Sequence, residues 1–258
     1  MARVSADAEE PSGRRGAGPP GSLAADFLEA VGQQMGDGPL TPGALARAVV
    51  SLLPVDGAGL ATVTGELRLP LAASTAAAEE AEELQTTLGD GPCLVAAQTG
   101  APCAADLPEL LERWPLYAEE LTRRTPYRSV AALPLPSPAG EVFAALDLYA
   151  EDAALSAHLD LDLVAAAVAA PLGALLDLCL RPVRDAVTED ALPEWYADAT
   201  ARRLDVSIAI GMVMASSHRS VGDALSVLRG HAYSHDRQLD DVAEDVVLGR
   251  LPVEDLAG

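Results

Sequence analysis

The sequence predicts an α+β protein: an antiparallel sheet framed by helices, followed by an all-α module of three short helices. Three observations carry this. Helical and extended apolar patterns alternate over residues 23–180. Three amphipathic helical patterns then follow one another over 204–251 with almost no linker. Half of the 258 residues are hydrophobic, so a sizeable core can be buried.

Residues 1–22 hold Pro, Gly, Ser, Arg and Glu with almost no large apolar side chain, and read as a disordered tail. They contain no apolar stretch of the kind that a secretory signal needs. Leu23, Phe27, Leu28 and Val31 place a helix over 22–35. Thr41-Pro42, an N-cap followed by Pro at the first helical position, opens a second helix through Leu53. Residues 59–63 and 67–73 read as strands flanking a turn at Thr64-Gly65-Glu66. A helix is expected over 75–88, broken by Gly89-Asp90-Gly91-Pro92, then short helices over 93–98 and 114–124. Residues 129–135 and 141–149 are apolar strands around the turn Ser137-Pro138-Ala139-Gly140. Residues 160–180 form a long Ala/Leu helix in which Pro171 should introduce a kink. Asp160 and Asp162 near its start suit the helix dipole.

In the terminal module the first stripe is Leu204, Ile208, Gly211, Met212 and Ala215, read as the face turned to its neighbours. Gly211 in that stripe points to a close backbone approach. Ser220 and Asp223 form a start signal for the second helix, whose stripe is Val221, Ala224, Leu225, Leu228 and Ala232. Asp236 is the expected N-cap of the third, which carries Leu239, Val242, Ala243, Val246 and Val247 and stops at Pro252.

The segment 200–251 resembles an ANTAR domain, the three-helix RNA-binding output of transcription antitermination regulators. The residues that carry the resemblance are Ala209-x-Gly211-Met212-x-Met214, then Asp223-Ala224 with Arg229, then Arg237-x-Leu239-x-Asp241-Val242-Ala243-x2-Val246-Val247. Ile210 and Gln238 stand where that family often carries a cation. Upstream, Leu88-Gly-Asp-Gly-Pro-Cys93, Thr99-Gly100, Asp106-Leu107, Trp114-Pro115, Ser129-Val130-x2-Leu133-Pro134-Leu135 and Ala145-Leu146-x-Leu148-Tyr149 resemble a GAF domain. Such sensors precede ANTAR outputs in actinobacteria. The resemblances imply a tail (1–22), a GAF-like sensor (23–156), a connecting helix (157–190) and an ANTAR-like module (191–258).

Charge sets a constraint on this reading. All 17 cations are Arg, against 39 acids, for a formal charge of −22. That repels phosphate at long range, so a nucleic-acid binder must gather its Arg locally. Residues 202–238 partly do so, with Arg202, Arg203, Arg219, Arg229 and Arg237 against Asp205, Asp223 and Asp236. These five, with His231 and with Tyr233 as a base-stacking ring, are the RNA-binding candidates. Ordinary solvated surface charge is the competing reading of the same residues. His231 and His235 have a metal-ligand spacing, but no third ligand lies nearby and no Glu stands between them, so no metal is expected.

The GAF resemblance implies a small-molecule pocket, for which Cys93, Trp114 and Tyr117 are candidates. Trp114 and Tyr117 serve equally as packing anchors, and Cys93 and Cys103 read as buried thiols more readily than as a redox pair. No cofactor is indicated. No nucleophile elbow, P-loop, dinucleotide fingerprint or metal-spaced carboxylate set is present, so no enzymatic activity is expected. The longest apolar run, 163–176, is too short to span a bilayer, which leads to the expectation of a cytoplasmic protein. The face Leu161, Val164, Ala165, Val168, Leu172, Leu175, Leu176 and Cys179 is expected to pair with a second copy. The resulting homodimer would grip paired RNA hairpins. The alternative function is a GAF sensor whose degenerate ANTAR-like module binds protein instead of RNA.

Overall fold

The computed structural model describes residues 20–65, 67–185 and 192–257. Of the expected tail, residues 1–19 lie outside the described residues, as do 186–190 of the expected connector. Residues 20–22 belong to the first helix.

Five antiparallel strands form one sheet in the order β2-β1-β5-β4-β3. They are β1 (Gly57–Thr64), β2 (Leu67–Ala73), β3 (Cys103–Asp106), β4 (Ser129–Pro136) and β5 (Val142–Ala150). The four-residue β3 was not legible in the sequence, because so short an element shows little alternation. Central β5 is buried on both faces, which is why it reads as a nearly continuous apolar run.

On one face, Leu60, Leu133, Leu146 and Leu148 pack against α1 (Pro20–Met35), α2 (Pro42–Leu52) and the helix running from 161 to 185. On the other, Val130, Ala132, Ala145 and Tyr149 pack against α3 (Ala76–Leu88), α4 (Pro92–Thr99) and α6 (Pro115–Arg124), which follows α5 (Leu107–Arg113). Helices thus frame both faces of the antiparallel sheet, as the alternating patterns predicted. Local signals set the helix starts: Thr41 Oγ1 accepts from the Ala44 N–H at 3.2 Å, and Thr75 Oγ1 from the Ala78 N–H at 3.1 Å.

A short helix, α7 (Leu155–His158), leads into the long one, which consists of α8 (Leu161–Val164), a π-helical turn (Ala165–Ala169) and α9 (Ala170–Asp185). The expected disturbance at Pro171 takes the form of this widened turn directly before it. The proline ring supplies no N–H and crowds the carbonyl of the preceding turn. The face expected to pair with a second copy is instead core. Val164, Val168, Leu172, Leu176 and Cys179 are buried against the sheet and the N-terminal helices, sharing one core with α1 and α2. By length and apolarity 161–185 would suffice to cross a membrane, contrary to the shorter run expected, but half of its most apolar stretch is buried inside the fold.

The terminal module comprises α10 (Glu194–Ser217), α11 (Val221–Ser234) and α12 (Leu239–Val247), with a core of its own built on Val206, Ala209, Ile210, Val213, Leu225, Leu228, Val242 and Val246. Ser220 caps α11 as expected, accepting from the Asp223 N–H at 3.2 Å. Two expectations are corrected. The N-cap of α12 is Gln238, while Asp236 sits two residues earlier at φ 53° in the left-handed region. The stripe Leu204, Ile208, Gly211, Met212, Ala215 faces outward. Leu204 is 58 %, Ile208 40 % and Met212 37 % exposed, and no atom approaches where a Gly211 Cβ would stand. The adjacent stripe, Val206-Ala209-Ile210-Val213, took the core, since α11 and α12 cover that side.

If the 161–185 face is core, Leu172→Ala should lower unfolding free energy by about 2–5 kcal/mol. Leu178→Ala, at a 43 % exposed position, should change it by less than ~0.5 kcal/mol. Denaturant unfolding at two protein concentrations checks this, and a concentration-dependent loss at Leu172 would restore the pairing role.

Candidate functional site

Beneath α3 the sheet buries charge. Arg68 points inward from edge strand β2, and its guanidinium bonds to Glu82 of α3 at 2.5 Å and to Asp147 of β5. Its Nη1 also donates to the Glu82 carbonyl at 2.9 Å, and its Nε to Cys93 Sγ at 3.1 Å. Gln85 donates to Asp147 at 3.1 Å and to the Tyr149 hydroxyl at 3.2 Å, and the Tyr149 hydroxyl donates to Glu82 at 2.5 Å. All these side chains are buried.

Two carboxyls share one guanidinium, and the protonation follows from that. Burial raises the Glu82 pKa from about 4.5 to about 8; Arg68 opposes the shift and the Asp147 charge adds to it. Burial thus favours the protonated form of Glu82 near neutral pH. Burial likewise pushes the Cys93 thiol up, with Arg68 opposing, so Cys93 is neither a thiolate nor a nucleophile here. The cluster has hydrogen-bonding capacity to spare: Tyr117 Oη and Asp147 Oδ1 are buried and make no hydrogen bond.

Of the pocket candidates, Cys93 and Tyr117 border this cluster. Trp114 lies apart at the α5–α6 junction, buried, with the Arg113 guanidinium 4.1 Å over its ring. It is a packing anchor. Cys93, Cys103 and Cys179 are all unbridged buried thiols. Arg68, Glu82 and Asp147 were not among the expected site residues. The available signal was a lone charge within each of two apolar strands, Leu67-Arg68-Leu69 and Leu146-Asp147-Leu148.

The RNA-binding candidates do not form one open patch. Arg203 pairs with Asp240 at 3.2 Å, and both are largely buried. Arg237 pairs with Asp245 at 2.7 Å and donates to the Asp241 carbonyl at 3.1 Å. Arg229 is half-buried and lies so close to Gly89 that a Cβ there would overlap its guanidinium. Burial and neighbouring His235, whose ring stacks at 4.0 Å, hold His231 below its ordinary value, so it is neutral at pH 7. Arg219 and Tyr233 are exposed, and the Arg202 side chain lies outside the described residues. Among the described residues no group of three or more His, Cys, Asp or Glu could hold a metal ion.

The terminal module rests on the sheet domain. Asp236 pairs with Arg123 at 2.7 Å and with Arg124, both from α6. The Leu239 N–H donates to Thr87 Oγ1 of α3 at 3.1 Å. Tyr233 and Arg237 line a small cleft with Glu80, Glu83, Thr87 and Arg124, and a groove of about 500 Å³ runs between Gly89, Leu94, Leu116 and Arg229, Tyr233. Trp195 and Tyr196 of α10 pack onto the sheet-domain core.

No protein-family model matches the chain, and no curated protein matches it. Among solved structures, the chain is similar to the A. aeolicus nlh2 GAF domain, crystallised in an inactive state, at 14 % identity and TM-score 0.43, over 64 % of this chain and 99 % of that one. It is similar to the GAF domain of a Coxiella burnetii phosphoenolpyruvate-protein phosphotransferase at 16 % identity and TM-score 0.45, over 63 % and 99 %. It is also similar to a type II free methionine-R-sulfoxide reductase from Thermoplasma acidophilum at 17 % identity and TM-score 0.35, over 57 % and 94 %.

Because folding raises the Glu82 pKa, the folded state holds a proton that the unfolded chain releases near pH 4.5. Stability from this proton is complete below that pH and is lost as pH rises through about 8, by at most ~1.4 kcal/mol per unit. Glu82→Gln, a permanent mimic of the protonated acid, should flatten the dependence in thermal melts from pH 5 to 9. Arg68→Ala, which strands buried acceptors, should cost about 3–5 kcal/mol, measured by denaturant unfolding.

Proposed function

We propose that this protein is a signal-responsive regulator in which a GAF-like domain senses a small molecule and governs an ANTAR-like module that binds RNA hairpins and promotes transcription antitermination. The observation that carries this reading is the placement of the module. Residues 194–257 form a three-helix unit with its own core, and it docks on α3, the helix that also lines the buried Arg68 cluster. One helix thus touches both the interior where a ligand would act and the surface where an output would respond.

Paired hairpins would call for two modules, so the active form is proposed to be a homodimer. Arg219 and Tyr233, exposed on the module, supply a phosphate contact and a stacking surface for an unpaired base. Arg202 belongs to the proposed contact set, which Arg203, Arg229 and Arg237 complete once free of their present partners.

A second reading is favoured by a specific observation. The outward apolar stripe Leu204-Ile208-Met212 on α10 is the sort of surface that a protein partner covers, and it suits an output that binds protein rather than RNA.

The experiment is binding of the full chain to a pool of short hairpin transcripts at two salt concentrations. Selective retention that falls steeply with salt is expected. Arg219→Ala should weaken all hairpins about equally and lower the salt slope by roughly one contact. Retention no better than that of an equally acidic control protein would leave the protein-binding output, and Ile208→Asp would then be expected to abolish partner capture.

A further inference from the structure

Three of the residues proposed to meet RNA, Arg229, Tyr233 and Arg237, lie along the side of the module that meets α3 and α6. Arg229 lies against Gly89, the left-handed C-cap of α3 at φ 68°. Tyr233 and Arg237 line clefts whose other walls are Glu80, Glu83, Thr87 and Leu88 of α3 and Arg124 of α6. The contact is held at its centre by a buried hydrogen bond, from the Leu239 N–H to Thr87 Oγ1, and at its rim by Asp236 between Arg123 and Arg124.

We infer that the sensor holds the helical module in a self-masked arrangement whose releasable catch is Asp236 in the grip of Arg123 and Arg124. This rests on the RNA reading above and names how that surface is regulated.

Several features suit a catch rather than a permanent joint. The Asp236 side chain is 66 % and that of Arg123 51 % exposed, so these ion pairs are individually weak and sensitive to salt. Asp236 occupies the left-handed region, which few residue types other than Gly, Asn and Asp adopt. Release strands no charge: Arg123 and Arg124 keep Glu120, at 2.6 and 2.8 Å, and Arg124 keeps Glu80 at 3.1 Å. A sensor-side trigger is at hand in α3. Glu82, Gln85 and Thr86 face the Arg68 cluster, while Glu80, Thr87 and the Gly89 cap face the catch. A shift of α3 over the sheet would move Thr87 and Gly89 away from the module.

The test compares the full chain with Asp236→Asn and with Arg123→Gln/Arg124→Gln. Asn tolerates the left-handed backbone, and the double variant leaves the module untouched. Amide hydrogen exchange reports the seam at residues 84–91 and 236–240, and the module core at Leu228 and Val242. Hairpin RNA affinity is measured on the same samples. The expected result is faster exchange at the seam with an unchanged module core, and RNA binding about tenfold tighter, as follows if roughly one molecule in ten is open in the parent. Unchanged seam exchange in both variants, or an opened seam with RNA affinity equal to a measurable parent affinity, overturns the catch. An opened seam with no RNA binding by any of the proteins overturns the RNA reading itself, and the masking with it.

Discussion

A guanidinium sealed from water between two carboxyls governs how this molecule is put together. Taking a charge out of water is costly unless its partners are placed for it. Arg68 can be buried only while β2, α3 and β5 hold Glu82 and Asp147 within hydrogen-bonding reach. The requirement extends outward. Gly59 of β1 leaves the space that the Glu82 side chain fills; a Cβ there would overlap it. Gln85 carries the network into α4 by accepting from the Cys93 N–H at 3.1 Å. The position of α3 over the sheet is thus set by a polar network with exacting geometry as well as by apolar packing, which tolerates more slippage.

The same helix is the floor on which the terminal module stands. Its outward residues are polar or small: Glu80, Glu83, Thr87 and the Gly89 cap. They hold α11 and α12 through directional contacts and shallow clefts, while Leu225, Leu228, Leu239 and Val242 of those helices pack in a separate core with α10. A joint of that kind has a modest energy, and an element rigidly tied on its inner side and lightly tied on its outer side is suited to passing a displacement from one to the other.

Much of this was legible in advance. Thr41, Thr75 and Ser220 start helices for local reasons, because their hydroxyls satisfy N–H groups within the next turn. Four of the five strands and the three terminal helices follow from apolar period and turn residues. The exchange of faces was not legible. The 161–185 face was expected on a partner chain and is core, while the Leu204–Ala215 stripe was expected in the core and is outside. On α10 two apolar stripes lie side by side, and periodicity finds both without ranking them. Which is covered depends on where α11 and α12 cross, a matter of contacts far apart in the chain.

The candidate site divides in the same way. Cys93 was singled out by its Gly-Pro turn motif and Tyr117 as one of few aromatics, whereas Arg68, Glu82 and Asp147 were passed over, since a lone charge in an apolar strand carries no mark of its partner 79 residues away. The sequence by itself determined four of the five strands, the helix starts at Thr41, Thr75 and Ser220, and the local gathering of Arg, because caps, periods and composition act within a few residues. Tertiary structure alone decided which apolar face is core, which charges are buried together, and that Arg229 and Arg237 lie against α3. Burial is a property of what lies opposite, and only the assembled chain supplies it.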